Sequence, residues 1–524
     1  LTALGAGPGT VVAVALPRGA EAVAAILGVL RCGAAYLPLD PDGPAQRLAA
    51  VLAEVRPVAV VTADGISPRP GAARRDTDLA YVIFTSGSTG RPAGVAVGRR
   101  AMDRFVAAAT LRYQITGADR VLQFAPLHFD ASVEEIFLTL AAGATLVVRT
   151  PAMLDSMPAF LAGCAEQRVT VLDLPTAFWH ELAYARLPMP ASVRTVVIGG
   201  QAALPERVAR WQRAVGPGVT LLNTYGPTEA TVVATVADLT GWAGAADDGD
   251  VPIGRPLPGV RCAVVDGELV LLGACLASGY LDRPELTGAR FGRLGDEPAY
   301  RTGDLVRVGD DGQLRYLGRI DDQFKISGHR VDPTEIETVL AGHPGVAEAA
   351  VVGQHTPQGG KRLVGYVVGE VTDDELRGYA AAALPAATVP TVFIRAERLP
   401  RTSTGKIDRS ALRRRPVPAG VAAGLTAAQR TVAAAWQELL GTGDIGPDDD
   451  FFALGGQSLQ TIAVANRLGV AVATVFAHPT VAALAKIIDR PAPGTDPPPT
   501  TAPSDRDRGD GDGDGDGMLA DAVL

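Results

Sequence analysis

The first part of the chain alternates short β-rich runs with helical ones, and this constrains the fold more than any other feature. VVAVAL (residues 11–16) reads as a strand and residues 20–30 as a helix. A helix over residues 46–55 then precedes the strand VAVVT, and AYVIFT follows. Five further runs, VLQFA, ATLVV, VTVLDL, VRTVVI and VTLLN, are short and apolar, with helical stretches between most of them. Apolar strands separated by helices predict a largely parallel sheet covered on both faces. Ligands of such sheets collect at the carboxyl ends of strands. AYVIFT ends in a loop of that kind, TSGSTGRPAGV, rich in glycine and hydroxyl side chains suited to phosphate oxygens. It is not the common GxxxxGK[ST] phosphate loop.

From Gly254 the texture changes. CAVVDGELVLLG and VRVGDDGQLRYLG read as antiparallel hairpins. Residues 321–415 mix both elements and end in the basic RSALRRRP, a solvated helical face. PVPAGVAAG then leads into a helix-rich unit, and the Pro-, Thr- and Asp-rich tail reads as disordered. The 524 residues exceed one ordinary core, so several folding units are expected. A net charge of -9 argues against nucleic acid as the main partner. Four scattered cysteines without CxxC spacing suit a reduced, cytoplasmic protein, and six scattered histidines offer no zinc-type cluster. No apolar run approaches the ~20 residues of a membrane span. The start at Leu1, close to an immediate strand, suggests that a front piece is missing.

NTYGPTE (residues 223–229), YRTGDL (300–305), GRIDDQFKISGHR (318–330) and PRTSTGKIDR (400–409) are weak singly but specific in order and spacing. With LRCGAAYLPLD, FDAS and GELVLLGACLASGYL they make the chain resemble the adenylate-forming superfamily, in particular the adenylation domains of nonribosomal peptide synthetases. DDDFFALGGQSLQTIAV (448–464) resembles the peptidyl-carrier signature. The resemblance implies a multidomain α/β fold. A large subdomain (residues 1–320) has layered sheets, helices and a small β-barrel, and a small mobile α+β subdomain (321–415) follows. A linker (416–424), an all-α four-helix carrier (425–490) and the acidic tail (491–524) complete the chain.

The resemblance also implies roles. Thr85, Ser86, Gly87, Ser88, Thr89 and Gly90 would wrap the ATP phosphates. Tyr225 would stack on adenine, Thr228 and Glu229 would serve ATP and Mg2+, and Asp304 with Arg319 would take the ribose. Lys406 would bridge substrate carboxylate and α-phosphate, and Asp321 would be the hinge that alternately delivers Lys406 and the KISGHR segment. Ser458 would carry 4′-phosphopantetheine, installed by a phosphopantetheinyl transferase. The family usually has lysine where Ala93 stands and histidine where Arg99 stands; Arg91 and Arg99 are candidates for the missing charge. The carrier departs from the usual pattern at Gln457 and in the short stretch after Ser458.

Substrate-pocket positions map to Asp130, Ala131, Glu134, Asp173, Val197, Gly199, Thr224, Val232 and Val233, with Lys406 completing the set. Asp130 would pair with an amino acid's ammonium. Glu134 and Asp173 add two carboxylates that a neutral side chain would leave unpaired, whereas one ending in ammonium satisfies them. Gly199 is expected to leave room for length. The pocket resembles those for lysine and β-lysine, slightly favouring β-lysine, as in the loading didomains of tuberactinomycin-type antibiotic biosynthesis. A downstream condensation enzyme and an MbtH-like helper are the further partners implied. An acyl-CoA ligase and a non-catalytic carrier-presenting scaffold are the alternatives.

Overall fold

The computed structural model describes residues 1–489, apart from residues 76–77, 87–90, 243–249, 327–328, 356–360, 391, 403–406, 416–424, 441–444, 453, 455 and 457. The expectations for Gly87, Ser88, Thr89, Gly90, Lys406, the linker and the tail lie outside the described residues.

The apolar strands of the first part assemble as two sheets. In the seven-stranded sheet, Val11–Ala15 pairs in parallel with Ala35–Pro38 on one side and Ala59–Thr62 on the other. Leu79–Thr85 continues the parallel set, and Ala93–Gly98 returns antiparallel after the glycine-rich loop. Val12, Ala13, Val14, Tyr36, Leu37 and Tyr81 are almost fully buried, as expected of strands covered on both faces.

The second sheet has a parallel core of Thr145–Val148, Arg120–Gln123, Val171–Pro175, Thr195–Gly199 and Thr220–Tyr225. From Thr235–Asp238 onward it turns antiparallel, through Pro252–Pro256, Leu314–Arg319, Glu297–Val308, Glu268–Gly273 and Val260–Val265. The strands expected as a small barrel therefore run on from this sheet. Helices Arg99–Tyr113 and Ala131–Ala141 contribute Phe105, Ile136 and Phe137 to the core that also holds Val12, Tyr36 and Val197 from both sheets.

Past residue 320 the hairpin Phe324–Ile326/His329–Val331 leads into the sheet Val346–His355, Lys361–Gly369 and Val392–Arg395. Helices Pro333–Ala341 and Asp373–Ala381 bury Ile336, Leu340, Leu376 and Ala380 against it. The second of these helices starts with a reciprocal cap between Thr372 and Glu375. The carrier unit contributes helices Ala427–Leu440, Ser458–Leu468, Val472–Ala477 and Val481–Ile488. Its Trp436 and Phe451 join an apolar core continuous with Phe160, Trp179 and Trp211 of the large unit. Among the described residues no helix is long and apolar enough to cross a membrane, and the four cysteines are free thiols.

At the end of the second sheet opposite the glycine-rich loop, Asp119 clasps three strand starts. Arg194 donates to it from Nε and Nη2 at 2.8 and 2.7 Å, the Thr170 hydroxyl at 2.7 Å and the Thr116 amide at 2.8 Å. Burial opposes its charge, but these donors, Arg194 foremost, hold the carboxyl well below the usual range. A depressed carboxyl stabilises above its unfolded pKa and loses that contribution as pH falls through the folded value. Asp119→Asn is therefore expected to cost about 2 kcal/mol near neutrality. The difference from the unaltered chain should shrink below about pH 4, as thermal melts across pH will measure.

Candidate active site

The carboxyl ends of the second sheet, Thr85 and Ser86 at the entrance to the glycine-rich loop, and the small unit meet around a chain of paired charges. Tyr225 ends its strand and donates its hydroxyl to Asp304 Oδ2 at 2.5 Å. Asp304 lies opposite Arg319 in the antiparallel ladder, and Arg319 Nη1 donates to Asp304 Oδ1 at 2.7 Å. Arg319 also holds both oxygens of Asp321, at 2.6 and 2.7 Å, and Arg290 adds a third bond at 3.1 Å. Gly303 permits this crowding: it has φ +73°, and a Cβ there would lie 2.8 Å from Arg319 and 3.1 Å from Arg290. The predicted nucleotide residues Tyr225, Asp304 and Arg319 and the predicted hinge Asp321 thus form one hydrogen-bonded string.

Glu229 stands in the short turn Thr228–Ala230 and is 1% exposed. Tyr280 donates its hydroxyl to Oε1 at 2.6 Å, and Arg330 Nη1 reaches the two oxygens at 3.0 and 3.2 Å. Burial is the largest influence and works against this charge, but Arg330 and the hydrogen bonds from Tyr280 and its neighbours together keep the carboxyl below its ordinary value. The Ser86 hydroxyl donates to the Arg330 carbonyl at 2.7 Å. Thr85, Ser86, Glu229, Arg290 and Arg330 line one tight cleft. Positive charge beside the loop thus comes from the small unit and the helix Pro284–Arg290. Ala93 is 3% exposed in its strand, Arg91 is exposed, and Arg99 donates to the Ala34 carbonyl at 2.8 Å.

The backbone behind Glu229 is strained. Thr231 and Val232 have φ +57° and +70°, a region that β-branched residues rarely adopt. Gly226 fits beneath because a Cβ there would meet the Val232 carbonyl at 2.2 Å. Among the described residues no group of three metal-ligating side chains exists. Mg2+ commonly takes one or two carboxylates and completes its shell with phosphates and water. Glu229 fits that role as a single carboxylate, with Arg330 withdrawn.

The small unit turns its hairpin toward these groups. Lys325 is half-buried, and Asp304 and Asp130 are its main attractive neighbours; desolvation pulls its pKa down. Gln323 accepts from Arg330 at 2.8 and 3.0 Å and donates to Asp332 at 2.7 Å. A second bridge joins the units where Arg47 donates to Glu335 at 2.7 Å. Lys325 and Arg330 of the expected KISGHR segment are the ones that meet the large unit here.

Asp130 stands at the entry to helix Ala131–Ala141 and accepts from the Thr228 hydroxyl at 2.6 Å. One turn on, Glu134 is 5% exposed, and its Oε1 has no hydrogen-bond partner. Asp173, inside the strand Val171–Pro175, has a buried Oδ2 in the same condition. Burial first, and then the Asp173 charge, raise the Glu134 pKa well above its ordinary value; Asp173 is likewise raised, chiefly by burial. The Tyr113 hydroxyl adjoins Glu134. Val197 pairs with Asp173 in the ladder, and Val197, Val232 and Val233 are buried. Gly199 differs from expectation. A Cβ there would lie 2.5 Å from Thr224 Oγ1, which itself donates to the Ile198 carbonyl at 2.9 Å. Its missing side chain makes room for Thr224 rather than for length in a ligand.

In the carrier unit Ser458 opens its helix. A Cβ on Gly456 would meet the buried Phe451 ring at 2.1 Å, so this glycine, two residues before the serine, can pack directly on that ring. Sequence reasoning named the KISGHR segment without assigning Lys325 or Arg330, and it missed Tyr113, Tyr280, Arg290 and Gln323. The two cations were legible in the motif. The others carry no local signal.

Comparison with known proteins agrees with this geometry. The AMP-binding enzyme family matches residues 1–75 and 64–281, its C-terminal domain matches 335–406, and the phosphopantetheine attachment site matches 430–488. The isonitrile lipopeptide synthase of Streptomyces coeruleorubidus is 55% identical over 93% of this chain, which spans 37% of that protein's length. Novobiocin biosynthesis protein H of Streptomyces niveus is 38% identical, with 92% of this chain and 88% of that protein covered. Holo-PA1221, an NRPS protein with adenylation and PCP domains bound to a vinylsulfonamide inhibitor, superposes with a TM-score of 0.77 at 27% identity, covering 92% of this chain and 88% of that one. The chain belongs to the AMP-binding enzymes, as an adenylation unit of the nonribosomal peptide synthetase kind joined to a phosphopantetheine-attachment carrier unit.

Proposed function

We propose that this chain activates a cationic amino acid of the lysine type, α or β, as its aminoacyl-AMP and passes it to its own carrier unit. The observation that carries the reading is the buried pair Glu134 and Asp173, whose inward oxygens have no partner among the described residues. Unpaired buried carboxylates are costly, and no cation among the described residues sits beside this pair. A guest that brings an ammonium between them removes that cost, whereas leucine would seal it in. Asp130, with Thr228 at its side, would receive the amino group nearer the reacting carboxylate.

In the first half-reaction a carboxylate oxygen of the amino acid bonds to the α-phosphorus of ATP, and pyrophosphate leaves. Residues 85–90 and Lys406 would hold the charge that develops there, with Mg2+ on Glu229 when Arg330 is withdrawn. In the second, the acyl group moves to a thiol and AMP leaves. Phosphopantetheine on Ser458 supplies that thiol when attached. Tyr225, Asp304 and Arg319 would hold adenine and ribose through both. The small unit would turn about Asp321 between them, and the arrangement with Lys325 and Arg330 inward suits the second. We place this chemistry in the cytoplasm, supplied by a phosphopantetheinyl transferase and followed by a condensation enzyme. An MbtH-like helper is a further partner to supply in assays. The lipopeptide and novobiocin proteins among its relatives support a place in antibiotic biosynthesis.

ATP–pyrophosphate exchange across an amino-acid panel tests the reading. Lysine or β-lysine should lead, with leucine lower by on the order of 10⁴-fold. Glu134→Gln with Asp173→Asn should erase that preference, and an unchanged ranking refutes the pocket assignment. Because both carboxyl pKa values are raised and the ammonium needs them ionised, KM for the cationic substrate should climb as pH falls. The double variant should lack that slope.

The two half-reactions should also separate genetically. Lys406→Ala should abolish most exchange, whereas Ser458→Ala should leave exchange intact and eliminate acylation of the protein. Loss of exchange in Ser458→Ala would overturn the division of labour.

A further inference from the structure

Beyond the pocket, helix Thr176–Ala185 carries Tyr184 to the surface on which the carrier rests. Three guanidinium groups surround that ring. Arg207 and Arg210, from helix Pro205–Val215, lie 5.0 and 4.9 Å from its centroid. The third belongs to the carrier: Arg467, in the third turn of the helix opened by Ser458, lies 4.7 Å from it. The Arg467 side chain is 11% exposed, with Nη1 3.2 Å from Glu181 of the large unit and Nη2 3.4 Å from Glu438 of the carrier. Two backbone bonds flank this node. The Met157 amide donates to Asn466 Oδ1 at 3.2 Å, and the Val472 amide donates to the Asp155 carbonyl at 3.0 Å.

Three like charges around one ring repel each other unless carboxylates are interleaved; the large unit contributes Glu206 beside Arg207 and Glu181 beside the carrier's Arg467. The ring face attracts cations, more strongly where water is excluded. A carrier bringing an acid or a small neutral group to the position of Arg467 would leave Glu181 without its cross-unit partner. Such complementarity sets partner choice more than total affinity.

We propose that Tyr184 and Glu181 form the recognition surface by which the adenylation unit positions its own carrier for thioester formation, with Arg467 as the carrier's matching residue. They are positioning residues, remote from the reacting atoms. The inference rests on the adenylation–carrier reading and is independent of which amino acid is used.

The test uses the full phosphopantetheinylated chain and whichever radiolabelled amino acid gives it the strongest pyrophosphate exchange. Tyr184→Ala and Glu181→Arg should each slow single-turnover acylation of the carrier about tenfold, one power of ten being about 1.4 kcal/mol. Exchange should stay within about twofold in both. Adding Arg467→Glu to Glu181→Arg restores opposite charge across the interface and should recover most of the rate. Labelling of Ser458 with a fluorescent coenzyme A analogue reports whether the carrier of the double variant is folded. If it is not labelled, the two large-unit variants decide alone. Acylation at the unaltered rate in both, or a labelled double variant no faster than Glu181→Arg, overturns the proposal. An equal loss of exchange and acylation in Tyr184→Ala and Glu181→Arg overturns it too, by marking the helix as structural.

Discussion

The buried ion pair between Glu229 and Arg330 is the constraint on which the rest of the site depends. Neither group could be desolvated alone without a penalty of several kcal/mol, on the order of the cost of breaking a buried pair. Together, with Tyr280 donating to the carboxylate and Gln323 accepting from the guanidinium, they close the gap between the large unit and the small one. The Arg330 carbonyl also takes the Ser86 hydroxyl, so one residue fixes both the acidic turn and the entrance to the glycine-rich loop. A carboxylate fully engaged by a guanidinium is a poor ligand for a divalent cation. Under the proposed function, the orientation of the small unit and the readiness of Glu229 for a metal would thus be coupled.

Glu134 and Glu135 illustrate how burial alone does not define a role. They are consecutive on one helix and both nearly inaccessible. Glu135 faces the chain after strand Arg120–Gln123, where the Phe124 and Ala125 amides and the Gln123 side chain donate to it at 2.8, 2.9 and 3.0 Å. Burial still pushes its pKa up to about 8, but its oxygens are satisfied, and it fastens the helix to the sheet. Glu134, turned roughly 100° away on the helix, meets Asp173 and the Tyr113 hydroxyl, and its Oε1 finds no donor among the described residues. One carboxylate completes the fold, and the other keeps an oxygen without a partner among the described residues.

Much of the scaffold was legible in the sequence. Val11–Ala15, Leu79–Thr85 and Thr195–Gly199 read as strands because they are short, β-branched and apolar, and sheet formation rewards those local properties. The site was legible only as an ordered set of motifs. Tyr225, Asp304 and Arg319 are unremarkable singly, and the string that joins them exists only after two strands are brought into register. Gly199 was misread because a glycine in a sequence does not say which neighbour uses its missing volume. Tyr113 ends a helix whose pattern explains it as core, and nothing local marks its approach to Glu134. The Glu229–Arg330 pair spans 101 residues and two folding units, so neither residue could indicate the other.

The boundary between the two units falls between consecutive aspartates with opposite allegiances. Asp321 is held by Arg319 and Arg290 of the large unit, and the neighbouring Ile320 amide donates to the Gly303 carbonyl at 2.9 Å. Asp322 instead meets Arg409 and Arg413 of the small unit. A rotation confined to the bonds between them would leave the first clasp, and with it Asp304 and Tyr225, undisturbed. What it must break is the contact set further along: the Gln323 amide with Asp321, Arg319 with the Gln323 side chain, Arg330 with Glu229, and Arg47 with Glu335. The clasp that joins Asp321 to Arg319, Asp304 and Tyr225 and the clasp that joins Asp322 to the small unit are therefore separated by one residue step, so under the proposed rotation the unit could reorient without dissolving the first.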